Sequence, residues 1–150
     1  MITPKSWAAF VARVILGLIF LAAGFWKVFF LGAVEHARDL FVVPYAVSFL
    51  PEWSIWIAGT TIPFVELLCG ALMVVGWQRF PAALGLGAVL VVVTFGHLVA
   101  DPLYAFNTHV IPRVVLLVLA MAMFQEDHLS IDAWLVRRET GLRGAFRELG

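Results

Sequence analysis

The stretch TIPFVELLCGALMVVGW, residues 61–77, is almost wholly apolar, yet Glu66 stands near its middle. Whether that run is a soluble core helix or a membrane span decides the fold. The rest of the chain answers. Of its 150 residues 63% are hydrophobic and only 13% charged, and the mean hydropathy is +0.98. A soluble domain of this size carries far more charge and breaks its apolar residues into short periodic runs. Here they form long blocks, as a bilayer requires, since a spanning helix needs about 20 mostly apolar residues. Four blocks meet the requirement: 7–30, 53–76, 80–100 and 108–124. Lipid offers no partner for backbone N–H and C=O groups, so each block is expected to be helical. The expected fold is an all-α integral membrane protein, a four-transmembrane-helix bundle forming a single domain over residues 1–150.

Lys5 followed by an apolar run ending near "LAAG" has the outline of a signal peptide, but Arg13 inside the run and Lys27 after it argue against cleavage. The first block is therefore read as a retained helix. With four spans, both termini and the 77–80 turn share one side. That side holds six basic residues, Lys5, Arg79, Arg137, Arg138, Arg143 and Arg147, against Lys27 and Arg38 in the opposite loops. The positive-inside rule then places both termini in the cytoplasm of a bacterial-type inner membrane. A formal net charge of zero leaves no nucleic-acid footprint.

Two segments lie outside the spans. Residues 32–52, GAVEHARDLFVVPYAVSFLPE, turn from polar to apolar and are interrupted by Pro44 and Pro51. Too short and broken to span, they are expected to form an interfacial or re-entrant cap. Residues 129–150 place Ile131, Trp134 and Leu135 at helical spacing with arginines between them. This predicts an amphipathic helix on the anionic inner leaflet, or a docking surface for a cytoplasmic partner.

Ionisable residues inside the spans carry most of the functional content, because a mid-bilayer charge costs about 2.5–3.5 kcal/mol on insertion scales. Arg13 and Glu66 both fall in the inner half of adjacent antiparallel spans, and the expectation is that they pair. Such a pair is a structural anchor; a proton-linked or ligand-contacting role is the alternative. A second group lies at the outer ends. His97 and Asp101 are four apart on the third block, and His109 and Arg113 are four apart on the fourth. Each pair shares a helical face, with Lys27 at the same level. Helix ends are also where polar residues belong, and Asp101-Pro102 makes an ordinary helix stop. The spacing matches no strong metal motif, and the outer interface is too shallow for a haem held between two histidines. Cys69 is the only cysteine, so an internal dithiol relay is ruled out. A quinone, entering from lipid and needing donors and a proton route, suits His97, Asp101, His109 and Arg113 better.

The runs RVILGLIFLAAGFWKVF (13–29) and PFVELLCGALMVVGWQRFPAALGL (63–86) carry the patterns G-x-I-F-x-x-A-G-x-x-K and E-L-L-x-G-x-L. Over about residues 10–125 the chain resembles the DoxX family of small four-helix membrane proteins. That resemblance implies the four-helix fold and supports the Arg13–Glu66 pair. Some DoxX members are subunits of a thiosulfate:quinone oxidoreductase, others look like membrane partners in oxidant defence, and animal relatives resemble assembly chaperones. The expectation is thus a subunit of a quinone-linked redox complex in contact with a soluble or membrane redox partner, or a homo-oligomer. A non-catalytic scaffold or assembly factor is the competing class.

Overall fold

The computed structural model describes residues 2–101 and 105–148, with side chains up to residue 140. Helix α1 spans Pro4–Trp26 and continues into a π-helical turn, Lys27–Leu31. A short α2, Ala33–Ala37, leads into a second π turn, Arg38–Val42. Then come α3, Glu52–Val75, α4, Arg79–Ala100, and α5, Phe106–Ala122. A 3-10 turn, Phe124–Glu126, precedes α6, Ile131–Glu148. Among the described residues there is no strand. Asp101 closes α4, its N–H donating to the His97 carbonyl, while Pro102 lies outside the described residues.

Three helical stretches are long and apolar enough to cross a membrane: Pro4–Leu31, Glu52–Val75 and Arg79–Ala100. The expected fourth span is a shorter apolar helix of 17 residues. At a rise of about 1.5 Å per residue it falls just short of a hydrocarbon core about 30 Å thick.

The chain is apolar outside, and several of its charged groups are buried within. Leu18, Ile57, Leu68, Leu84, Val91 and Val115 are exposed, whereas Arg13, His36, Glu66, Arg79 and Asp127 are buried. Leu16, Phe20, Ile62, Met73, Leu86 and Leu90 fill the centre. The tightest seam runs between antiparallel α1 and α3. A Cβ on Gly17 would lie 2.8 Å from the Val74 backbone nitrogen, and one on Gly70 would lie 2.5 Å from that of Leu21. Gly24 packs in the same way against the Leu67 backbone. Helices in lipid associate through such close packing, because no hydrophobic drive pulls them together.

This seam sets the register and overturns one expectation. Gly24 sits beside Leu67, so Glu66 faces the loop-side end of α1. Arg13 lies eleven residues earlier, about 16 Å away along the helix axis. Arg13 and Glu66 are therefore not each other's partners. Glu66 pairs with Lys27, Nζ to Oε2 2.6 Å, and Arg13 pairs with Asp127, Nε to Oδ2 2.6 Å.

Candidate functional site

Two polar centres lie at opposite ends of the bundle. The first is built around Asp127, in the connection between α5 and α6. Its Oδ2 accepts from Arg13 Nε and, at 3.0 Å, from Arg79 Nη1. Arg13 also donates to the carbonyls of Met73, Val74 and Leu129, which frees it from dependence on one carboxylate. Arg79 donates further to the Phe124 and Asp127 carbonyls, and its guanidinium lies over the Phe124 ring at 4.1 Å. A guanidinium has five donors, and here a planar fork links several chain segments at once.

Asp132 of α6 completes this end. The α3–α4 turn brings Gly76 and Gln78 into left-handed backbone, φ 74° and 47°, and leaves α4 with no cap from its own side chain. Asp132 supplies the cap from α6, accepting from the Gln78 and Arg79 N–H groups at 2.9 and 3.0 Å and from Arg79 Nε at 3.1 Å. In return its own N–H donates to the Gly76 carbonyl. Burial opposes ionisation of Asp132, but these hydrogen bonds and the Arg79 charge prevail and hold its carboxyl below the usual range. Sequence reading missed both aspartates. The signal was present: Arg13 and Arg79 sit at one end of the bundle and need acids, and the connecting segment FQEDHLSID supplies them.

The second centre lies under the loop between α1 and α3, which folds back onto α3. Pro63 has no N–H, so the Gly59 carbonyl four residues earlier lacks its helical donor. His36 of α2 takes that place, with Nδ1 2.8 Å from the Gly59 oxygen. Gly59 admits α2 because it has no side chain; a Cβ there would sit 2.7 Å from the Ala37 Cα. A carbonyl only accepts, so Nδ1 carries the proton and the neutral tautomer leaves a lone pair on Nε2. Burial above all, with the Lys27 charge in support, holds the imidazole below its ordinary pKa against the pull of the Gly59 bond.

Beside His36 is a cavity of about 230 Å³, whose lining includes Lys27, Phe41, Tyr45, Gly96 and His97. Phe41 packs against the imidazole at 5.4 Å between ring centroids and stacks on Tyr45 at 6.3 Å. Lys27 starts the π turn that ends α1, a wider turn of the kind that re-aims side chains at functional sites.

The four outer residues singled out in the sequence are distributed around this end. His97 lines the cavity and lies within electrostatic range of Asp101 and His109. Asp101 and His109 are exposed, and Arg113 extends over the ring of Phe20, 5.8 Å from its centroid. His36 and Tyr45 were not anticipated, because the loop read as a mixture of polar and greasy residues. A proline in the middle of a span, stranding a carbonyl, was the available clue.

Long apolar helices with satisfied ionisable groups inside and apolar side chains outside define a small helical membrane protein. Comparison with protein families gives its place. The family model described as methylamine utilisation protein MauE matches residues 5–110, and the chain belongs to that family. Comparisons with curated proteins and with solved structures give no match. Membership of MauE corrects the resemblance to DoxX. In the motifs behind that resemblance Lys27 and Glu66 form an ion pair, and the glycines Gly17, Gly24 and Gly70 lie on the α1–α3 seam. Close helix packing in lipid demands small residues in any family, so they do not discriminate.

Proposed function

We propose that this protein is a non-catalytic accessory protein of a methylamine-utilisation system, held in a bacterial-type inner membrane and working with a redox partner. In this reading α5 is the fourth span, both termini are cytoplasmic, and α6 lies along the inner leaflet. The observation that carries it is the Arg13–Asp127–Arg79 network with the Asp132 cap. The most deeply placed charges at that end serve to fix α6 against the bundle, an investment in shape and presentation. The family description supplies the process. The quinone-linked oxidoreductase subunit expected from the DoxX resemblance is withdrawn with that resemblance.

The test is made in the native host. Deleting the gene should abolish growth on methylamine as sole nitrogen source and leave growth on ammonium unchanged. Adding the purified protein in nanodiscs to extracts of the deletion strain should not restore methylamine oxidation, because an accessory protein acts during assembly. Normal growth of the deletion strain, or restoration by the added protein, would overturn the proposal.

A further inference from the structure

The cavity under the loop has the features of a ligand site. His36 is 2% exposed, its Nδ1–H is committed to the Gly59 carbonyl, and among the described residues Nε2 has no hydrogen-bond partner. Nor is Nε2 sealed inside the protein, since the one buried side-chain atom without a partner among the described residues is Asp127 Oδ1. The open space beside the imidazole is the cavity that His36 lines. An acceptor on a buried ring that opens only onto a cavity takes its donor from whatever occupies that cavity.

The surroundings narrow the occupant. Phe41 and Tyr45 offer aromatic faces at the wall, and Lys27, paired with Glu66, makes the polar end close to neutral. A cavity of about 150 Å³ takes a benzene ring, so about 230 Å³ leaves room for ring substituents. A second, largely apolar cavity of about 280 Å³ lies between α3 and α4 and shares Phe41, Tyr45 and Gly96 with the first. Its wall includes Ile55, Ala58 and Phe95, and neighbouring Val92 and Phe95 are exposed where lipid would lie. The two spaces adjoin, with Phe41, Tyr45 and Gly96 lining both; one lies toward an apolar exterior and the other holds the polar end.

We propose that this pair of adjoining cavities binds an uncharged aryl alcohol, a phenol or hydroquinone head on an apolar tail, whose hydroxyl donates to His36 Nε2. The ring packs against Phe41 and Tyr45, the tail occupies the second cavity, and Lys27 stands beside the head. The proposal concerns binding alone and involves no electron transfer.

The experiment uses the full-length protein in nanodiscs and equilibrium dialysis with radiolabelled decylhydroquinone, its dimethyl ether and the corresponding quinone. The hydroquinone should bind at least about tenfold more tightly than the ether, which has no donor for Nε2. The quinone, which only accepts, should also bind more weakly. His36→Asn keeps an amide N–H for the Gly59 carbonyl and lacks the Nε2 acceptor, so it should remove the preference for hydroquinone over ether. Equal binding of hydroquinone and ether by the wild type, a preference for the quinone, or an undiminished preference in His36→Asn would overturn the proposal. The wild-type comparison decides even where the variant does not fold.

Discussion

Replacing Asp127 by Asn tests the network at the α6 end. The amide keeps the size of the side chain but removes the charge that Arg13 and Arg79 share. Neither guanidinium is stranded, because Arg13 retains the Met73, Val74 and Leu129 carbonyls and Arg79 retains Asp132. What is lost is the charge assistance of two hydrogen bonds, about 1–1.5 kcal/mol each, since the amide oxygen can still accept both and a bond to a charged group is worth about 1.5–3 kcal/mol against about 0.5–1.5 for a neutral one. The sum, about 2–3 kcal/mol, falls short of the roughly 3–5 kcal/mol of a broken buried pair because no charge is left uncompensated. Asp127 Oδ1 is already without a protein partner, so the amide group adds little new burial penalty on that side. Glu66→Gln should cost less, because it takes the charge from one hydrogen bond, not two, and the Lys27 side chain is 22% exposed. Unfolding free energies can be measured by steric trapping in bicelles. A double-mutant cycle then separates the pairings: Arg13→Met with Asp127→Asn should couple by about 0.5–3 kcal/mol, while Arg13→Met with Glu66→Gln should be additive within about 0.5 kcal/mol. Additivity in the first cycle with coupling in the second would refute the assignment of partners.

Gly24→Ala places a methyl group against the Leu67 backbone and should destabilise the bundle by about 1–3 kcal/mol in the same assay; Gly87→Ala, where a Cβ meets only Leu117 at 3.5 Å, should be nearly neutral. Acidification should loosen the loop over α3. Burial, with the Lys27 charge in support, holds the His36 pKa in the folded protein below the ordinary 6.5, so below about pH 6.5 the unfolded form binds more protons and stability falls as pH drops through the folded value. Hydrogen exchange of residues 33–42 should accelerate over that range, and a flat profile, or one unchanged by His36→Asn, would exclude the imidazole. Reporter fusions at residue 150 and within residues 35–39 should report opposite compartments, with the former cytoplasmic; matching signals would defeat the four-span arrangement.

Much of the architecture was legible in the sequence because lipid imposes a simple rule. Every backbone polar group must be satisfied within its own segment, so long apolar blocks become helices whatever their neighbours. The bounds of α3 and α4, Glu52–Val75 and Arg79–Ala100, fall within a few residues of the blocks read at 53–76 and 80–100. Partnership was not legible. Arg13 and Glu66 were matched because both appeared to lie in the same half of the membrane, and depth alone cannot set which turn of one helix faces which turn of another. That register comes from the fit of Gly17, Gly24 and Gly70 into the opposing backbone, a three-dimensional property. Likewise Asp127, 114 residues from Arg13, becomes its partner only when the chain returns past α5. His36 gains its role only because Pro63 strands the Gly59 carbonyl and the loop folds back to cover it. Hydropathy is additive along a chain and can be summed from residue types; the pairing of polar groups depends on distances between segments remote in sequence, and only the tertiary structure decides it.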